Sequence, residues 1–530
     1  MKKTKYNFLC LVLFTTILSN CSDDYITVIP EDSLTSGSLW QTKNDADLVL
    51  TGCYNGLQQD YLYAERNQND AALRERECFT DNSMNGYLYQ RFNNIKNGTL
   101  TTADEIPISR PWNALYNAIR RANDLITNID QIPDTELSQE QKEIYSAQAK
   151  VIRALMYYEL TTGWDDVPLI LTPITSAEAK AMVKNTALEV YNQIVLDLED
   201  AANVLPDSWG GDEYGKMTKG AANALLSRVH LFFYGYHGVS DALQKAADAS
   251  NEVINSGQYS LFNDYGSLFT VANETSPEII MSVRFTADIG GTNGEGFSHS
   301  FNGMPQNNNQ PLPNLVNDYY CTDGLPINES PLYDANNEEE NRDPRWDASI
   351  VYNGEKWLEN RNPFNARPAG RRTGYAIDKY IINNNADIQA NNGGQDWYLI
   401  RYADVLLMRA EALIEQGNTG TEVYDLINQV RQRVNMPIIE DVEGSGLSQT
   451  ELRDIVRHER RVELAFEGTR FSDVKRWNIM EQAYLDSADD QKFNGNSPII
   501  PVVFQGQRSI VLPIPQTEID KTNMTQNPAW

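Results

Sequence analysis

The chain has 530 residues, of which 41% are hydrophobic and 22% charged, so it is long and apolar enough to bury a sizeable core. Acidic residues outnumber basic ones by 73 to 44, which gives a formal net charge of −29. A surface this acidic repels phosphate backbones and anionic headgroups. The charge therefore argues against nucleic acid and anionic lipid as partners.

The chain starts with a basic stretch and a short apolar run. Three lysines precede an 11-residue run from Phe8 to Leu18, and Cys21 follows. A bilayer span needs about 20 apolar residues, so this is a secretory signal rather than a membrane helix. The segment resembles a bacterial lipobox, which implies a signal peptide over 1–20, a lipid anchor on Cys21 in the outer membrane and a tether over 21–40. An ordinary signal peptide cut elsewhere is the alternative.

Apolar residues recur every three or four positions through the first half of the chain, which predicts amphipathic helices. The stripes run over Trp112–Ile129, Ile144–Tyr158, Leu188–Leu205, Ala221–Phe232 and Leu243–Ile254. Thr218 is a favourable N-cap for the fourth helix, and Gly257 marks the end of the fifth. The sequence therefore begins its folded part with a series of helices.

Further helices are predicted near the C-terminus, over 400–416, 421–434 and 448–466. Three predicted helices share a small or apolar residue four positions before an arginine, starting at Ala149, Ala224 and Val405. This weak pattern resembles tetratricopeptide helical hairpins, which stack because one hairpin cannot bury its own apolar face. We expect a mainly α fold in which such hairpins form a superhelical scaffold.

Residues 260–398 differ from the rest of the chain, because helical periodicity is lost and Gly, Asn and Pro become frequent. Short strands are predicted at Ile279–Val283 and Ile377–Ile382. We therefore expect a loop-rich insertion between helical regions at 41–259 and 399–530. Loop-rich segments on rigid scaffolds commonly carry binding residues.

Several segments resemble motifs of the SusD/RagB family of outer-membrane nutrient-binding lipoproteins, in the family's order along the chain. They are Gly163–Leu169 (GWDDVPL), Tyr259–Phe269, Arg342–Arg345 (RDPR), Lys379–Tyr380, Arg401–Ala412 (RYADVLLMRAEA), Glu459–Trp477 and Leu512–Pro528. The resemblance covers essentially all of the mature chain. It implies a tetratricopeptide-like domain that packs on an importer, together with a loop-rich region that contacts ligand.

The densest of these motifs are rich in charge. Arg401, Asp404 and Arg409 are predicted on one helix, and charges of alternating sign continue from Arg460 to Arg476 beside large apolar residues. We expect buried or half-buried ion pairs that fix how the helices dock. A solvated charged face is the alternative.

The resemblance implies that the protein captures an oligosaccharide or polysaccharide at the cell surface and delivers it to a SusC-like TonB-dependent transporter. Two regions are candidates for the ligand platform, because aromatic rings cover the flat faces of sugars and polar groups bond their hydroxyls. The candidate residues are Asp81, Asn82, Tyr87, Tyr89 and Arg91 in one region, and Trp346, Trp357 and Tyr375 in the insertion. For each residue, simple packing or exposure is the alternative.

Other functions remain open at this point. A peptide cargo would use the same importer role, and a surface glycoside hydrolase would need two carboxylates that the sequence alone does not single out. No GxSxG, HExxH or phosphate-binding loop is present, and we expect no enzyme activity. No cofactor or metal is expected: His230 and His237 are better explained by packing, and the Asn383–Asp387 loop by solvation than by calcium. Cys53, Cys78 and Cys321 leave a single disulfide open.

Overall fold

Helices dominate the structure. The computed structural model describes residues 39–66, 73–287, 293–298, 309–355, 372–381, 392–490 and 499–530. The helices up to residue 255 are α1 (Lys43–Leu57), α2 (Arg110–Asn128), α3 (Gln139–Trp164), α4 (Ser176–Lys180), α5 (Ala187–Val204), α6 (Lys219–His237) and α7 (Ala242–Asn255). Those that follow are α8 (Tyr265–Leu268), α9 (Pro313–Asp318), α10 (Pro344–Asp347), α11 (Tyr402–Glu415), α12 (Thr421–Arg433), α13 (Ile439–Val442), α14 (Gln449–Glu463), α15 (Arg470–Arg476), α16 (Met480–Ala488) and α17 (Gln516–Lys521).

The long helices stack in chain order. Each contacts the next in the series α1, α2, α3, α5, α6, α7 and α11, and α11 also contacts α12 and α14. The stripes predicted from the sequence supply the buried faces, since Leu115, Ile119, Leu155, Ile194 and Leu225 are each at most 1% exposed. The predicted mainly α scaffold of stacked helical hairpins is confirmed.

The arginine of the shared sequence pattern joins neighbouring helices in all three places. Arg153 on α3 forms a double hydrogen bond with Asp197 on α5, at 2.8 Å for each nitrogen–oxygen pair. Arg228 on α6 donates to Asp404 on α11 at 2.6 Å, and Arg409 pairs with α12. In each place the arginine of this weak repeat pattern therefore ties its helix to another helix.

Local signals set several helix ends. The hydroxyl of Thr218 accepts a hydrogen bond from the Ala221 amide at 3.1 Å, which confirms the predicted N-cap of α6. Near the other end of α6, a Cβ at Gly235 would lie 2.4 Å from the Arg476 carbonyl oxygen. Only glycine lets α6 and α15 approach so closely.

In the part of the chain that the structure describes, three two-stranded antiparallel sheets lie in and beside the insertion. The strands are β1 (Ser83–Asn85), β2 (Ile279–Val283), β3 (Asn309–Pro311), β4 (Ile350–Val351), β5 (Ala376–Ile377) and β6 (Trp397–Arg401), and they pair as β1–β3, β2–β6 and β4–β5. The predicted strand at Ile279–Val283 is confirmed. The predicted strand at Ile377–Ile382 was too long, because Tyr380 has a φ of 61° and turns the chain out of extended geometry.

Two predicted helix boundaries also need correction. Arg401 was expected on a helix, but it is the last residue of β6, and α11 begins at Tyr402. The helix predicted to reach residue 466 ends at Glu463, because Phe466 adopts a left-handed φ of 65° before Gly468. Bulky residues such as phenylalanine rarely adopt a left-handed φ, so the sequence did not indicate a helix end before Phe466.

Buried ion pairs hold the C-terminal motifs together, as predicted. The carboxylate of Glu463 receives hydrogen bonds from Arg345 at 3.0 Å, Arg401 at 2.5 Å and Arg433 at 2.5 Å. Glu463 is fully buried, and the three arginine side chains are at most 2% exposed. This cluster joins α10 of the insertion and β6 to α12 and α14, so the motif residues fix the docking of the scaffold on the insertion.

The described residues also show the state of the three cysteines. Cys53, Cys78 and Cys321 are buried free thiols. No helix there has the length and apolarity that a bilayer crossing requires, and no cluster of histidine, cysteine or acidic side chains there has the arrangement of a metal site. Cys21, Trp357 and the Asn383–Asp387 loop lie outside the described residues.

Candidate functional site

The clearest outward-facing aromatic surface is formed by Tyr87–Arg91, which we call the aromatic shelf. Short 3₁₀ turns at Leu88–Gln90 and Phe92–Asn94 meet at Arg91, whose φ of 65° reverses the chain. The reversal leaves Leu88 47% and Tyr89 50% exposed, while Tyr87 is 8% exposed. The rings of Tyr87 and Tyr89 lie 5.6 Å apart at 39°, so the shelf presents one ring backed by a second.

A buried amide network supports the shelf from below. The amide nitrogen of Asn85 donates to Asn93 Oδ1 at 2.9 Å, and Asn93 Nδ2 returns a bond to the Asn85 carbonyl at 2.7 Å. Asn85 Oδ1 accepts from the Tyr87 amide at 2.8 Å, and its Nδ2 lies 2.8 Å from Gln90 Oε1 and 3.0 Å from Glu75 Oε2. Burial raises the pKa of the Glu75 carboxyl. The network fixes the shelf backbone before any ligand arrives.

A charged donor stands at the edge of the shelf. The Arg91 side chain is 58% exposed and pairs with Asp104, whose side chain is 1% exposed. Asp104 also accepts a hydrogen bond from the Thr101 amide at 2.9 Å. The buried carboxylate holds one guanidinium nitrogen, and the exposure of the Arg91 side chain leaves its other donors open to solvent.

The structure brings the shelf against the insertion. β1, immediately before the shelf, pairs with β3 in the register Ser83–Pro311 and Asn85–Asn309. The Arg372 amide donates to Gln310 Oε1 at 2.9 Å, and β3 contacts β5. The two regions that the sequence nominated separately are therefore neighbours, joined through one short strand.

Tyr375 is the insertion candidate that lies beside β5, the strand that contacts β3. It immediately precedes β5 and is half-buried, with its hydroxyl donating to Glu338 Oε2 at 2.9 Å. Burial first, and then Glu338, raise the pKa of this hydroxyl. The ring is thus held in one orientation next to the strand that contacts β3.

Two of the nominated polar residues are buried instead. Asp81 is fully buried, and its carboxylate bonds Arg470 at 2.7 Å and Arg461 at 2.9 Å. These two guanidinium groups keep the pKa of Asp81 well below its usual range although burial opposes them. Asn82 is 1% exposed and bonds Glu77 and Arg461 at 3.0 Å each. The prediction that these side chains contact ligand is corrected: they tie the segment before the shelf to α14 and α15.

Trp346 is also placed in the interior. It has no exposed surface, lies under the Arg342 guanidinium at 5.4 Å and packs on Tyr352 at a ring distance of 5.4 Å. The structure therefore shows Trp346 packed in the interior, which was the alternative to ligand contact. Of the nominated ligand residues within the described part of the chain, Tyr87, Tyr89, Arg91 and Tyr375 remain.

Two family models match the chain and together span most of it. One, described as SusD family, matches residues 277–530, and the other, described as starch-binding associating with outer membrane, matches residues 32–231. The chain belongs to the SusD/RagB family.

Individual SusD-family relatives match over nearly their whole length. The SusD-like protein P38 of Formosa agariphila is 28% identical over 497 residues, which is 90% of this chain and 92% of the relative. A SusD-like carbohydrate-binding protein of Bacteroides fragilis has a TM-score of 0.76 at 25% identity, over 91% of this chain and 99% of that one. A laminarin-binding SusD-like protein has a TM-score of 0.71 at 26% identity, over 93% of this chain and 100% of that one.

Sequence reasoning missed several residues that support this candidate surface. Gln310, Arg372 and Glu338 position the shelf and Tyr375, yet none lies in a local motif. The pairing of β1 with β3 joins residues more than 200 positions apart, and a three-residue strand gives no periodic signal. The sequence nominated Tyr87, Tyr89, Arg91 and Tyr375, but it did not indicate these supporting residues.

The SusD-family scaffold carries a second concavity away from the shelf. A groove of about 390 Å³ lies between α2, the segment after α3 and the C-terminal segment, and its wall includes Trp112, Tyr116, Ile174 and Met524. The Asn123 side chain in this wall is already bonded to Ile170 and Arg153. The groove therefore offers mainly apolar contact, whereas the shelf combines rings with hydrogen-bond donors.

Proposed function

We propose that this chain binds an oligosaccharide at the cell surface and delivers it to a SusC-like TonB-dependent transporter. The observation that carries the proposal is the aromatic shelf, whose preceding strand β1 pairs with β3 of the insertion. It places an exposed ring, a backing ring and a charged donor on a rigid support. An open platform of this kind suits a long, neutral ligand better than a closed pocket does.

The chemistry of the shelf suits a sugar. The apolar face of a pyranose ring can lie on the Tyr89 ring, while the free donors of Arg91 bond its hydroxyl oxygens. The relatives also support a carbohydrate ligand, because one matched structure is named as carbohydrate-binding and another as laminarin-binding. A β-glucan is therefore the first glycan to test.

The proposed role is capture without catalysis. Two carboxylates that contact the shelf or its support are committed to the protein itself, since Asp104 pairs with Arg91 and Glu75 accepts a hydrogen bond from Asn85. A glycosidase needs one carboxyl group on each side of the bond that it cleaves. Neither Glu75 nor Asp104 is placed to serve in that way.

The proposed location follows from the start of the sequence and from the family. The lipobox-like segment ending at Cys21 supports a lipid anchor, and one matching family model is described as associating with the outer membrane. Anchoring would leave the folded part tethered by residues 21–40 beside a transporter. Antibody labelling of intact cells that express the wild type or Cys21→Ser tests this location. The wild type should be retained on the cells, and Cys21→Ser should be lost from them. Full retention of Cys21→Ser would contradict the anchor.

The ligand is tested by affinity electrophoresis of the purified chain against a polysaccharide panel that includes laminarin and starch, with each incubated glycan checked for cleavage. Retardation by one glycan without cleavage supports capture and names the ligand class. Cleavage would contradict the non-catalytic role. Absence of retardation by every glycan, combined with binding to a peptide mixture, would replace the sugar by a peptide cargo.

A further inference from the structure

A small cavity lies inside the scaffold, where several elements converge. It has a volume of about 40 Å³, and its wall includes Tyr63, Arg76, Glu159, Thr162, Arg228 and Asp473. These residues come from the turn Asp60–Ala64, the 3₁₀ segment Leu73–Phe79 and helices α3, α6 and α15. The volume exceeds the 10–15 Å³ or so that one water molecule requires, so a small occupant fits.

Buried donors without a partner line this cavity. Arg76 Nη1 donates to Glu159 Oε2 at 2.9 Å, but Nη2 has no hydrogen-bond partner among the described residues. The hydroxyls of Tyr63 and Thr162 and the Nε of Arg228 are likewise unpartnered in the described part of the chain. Arg76 is 4% exposed, and Tyr63 and Thr162 are 3% exposed each. Buried polar groups left unpaired are costly, so an occupant that accepts hydrogen bonds is favoured.

Basic groups outnumber acidic groups in the cavity wall, which contains Arg74, Arg76, Arg228, Arg460 and Arg476 but also Glu159, Glu467 and Asp473. Lys475 is 1% exposed and donates to the Thr162 carbonyl at 2.9 Å rather than to a carboxylate. Burial lowers the pKa of Lys475 to about 8, with Arg76 adding to the effect and Asp165 opposing it. Asp404 serves both Arg228, at 2.6 Å, and Arg460, at 2.7 Å, so one carboxylate is shared between two guanidinium groups.

The type of free group distinguishes an anion from water. Guanidinium nitrogens donate and never accept, and the two hydroxyls can also donate. A water molecule accepts at most two hydrogen bonds, whereas a small anion can accept one from each of the four free groups. A halide matches the volume better than a sulfate or phosphate group, which has five heavy atoms.

We propose that this cavity binds one chloride ion, held by Arg76 Nη2, Arg228 Nε and the hydroxyls of Tyr63 and Thr162. The ion would link the turn and the 3₁₀ segment that precede the aromatic shelf to helices α3 and α6. It would therefore stabilise the folded chain without contacting the sugar.

The test combines crystallography and thermal unfolding of the full chain. Crystals grown in sodium bromide are expected to show an anomalous bromine peak inside the cavity. In solution, the unfolding midpoint Tm is expected to rise by about 1–2 °C per tenfold increase in chloride above its Kd, relative to sodium gluconate at equal ionic strength. Gluconate is too large to enter.

A pair of adjacent residues provides the matched control. Thr162→Val removes a hydroxyl that lines the cavity and is expected to lose most of the chloride-dependent rise. Thr161→Val removes a buried hydroxyl that instead bonds the carbonyls of Tyr157 and Tyr158 on α3, and it should retain the rise. Absence of the bromine peak with identical Tm values in both salts would overturn the proposal, as would a chloride effect that Thr162→Val leaves intact.

Discussion

Replacing Glu463 by glutamine tests whether the buried ion cluster holds the scaffold to the insertion. The substitution keeps the shape of the side chain but removes the charge that three arginines share. Arg345 retains Asp343 and Glu459, and Arg401 retains two other carboxylates. Among the described residues, Arg433 keeps only the Glu278 carboxylate, at 3.3 Å, so it bears most of the loss.

We expect the free energy of unfolding to fall by about 2–3 kcal/mol, which is less than the cost of leaving a buried charge with no partner, because each arginine keeps another carboxylate. The wild type should show a related pH effect. The arginines hold the pKa of Glu463 well below its ordinary value against the effect of burial. Its contribution is therefore present above the ordinary carboxyl pKa of 4.5 and is lost as the pH falls through the lower folded value.

The assay is equilibrium unfolding in urea followed by circular dichroism at pH 7. Asp454→Asn is the matched control, because this exposed residue lies on the same helix, outside the Glu463 cluster. It should change stability by less than about 0.5 kcal/mol. A loss below about 1 kcal/mol in Glu463→Gln would refute the reasoning and show that the cluster contributes little to stability.

Three further results are expected. Burial and the Asp396 carboxylate raise the pKa of Glu274 to about 8, so its contribution to stability is full below its ordinary pKa and is lost as the pH rises through 8. In urea titrations, the free energy of unfolding of Glu274→Gln should therefore exceed that of the wild type by about 2 kcal/mol at pH 9 but not at pH 4. The same difference at both pH values would contradict this. Thr218→Ala should lower the free energy of unfolding by about 1 kcal/mol through loss of the bond from the Ala221 amide, and an unchanged urea midpoint would count against the cap. Asn85→Ala should reduce the free energy of glycan binding by more than it reduces the free energy of unfolding, because it removes the acceptor of the Tyr87 amide. Undiminished affinity in a calorimetric titration would show that the network does not position the shelf.

Local signals in the sequence predicted most of the scaffold. The apolar stripes placed the helices, and Thr218 placed the start of α6, because both depend on residues close together in the chain. Arg401 was misplaced because its motif continues smoothly from β6 into α11. The division of the chain at residues 260 and 398 stays a prediction.

The site was predicted only in part, because burial depends on distant partners. Asp81 and Tyr89 lie in the same polar, turn-rich segment, yet one is fully buried and the other half exposed. The difference arises from Arg461 and Arg470, nearly 400 positions away, which draw Asp81 inward. No local pattern carries that information, so the sequence nominated Asp81 and Tyr89 together without separating supporting residues from exposed ones.

The most direct test of the central claim is calorimetric titration of laminarin oligosaccharides into the wild type and Tyr89→Ala. Loss of the exposed ring should weaken binding about tenfold, since ring contacts of this kind contribute roughly 0.5–1.5 kcal/mol beyond the area that they bury. Leu196→Ala, a control at an apolar residue that is 55% exposed on α5, should bind like the wild type. If wild type and Tyr89→Ala bind the same glycan with equal affinity, the shelf is not the binding surface.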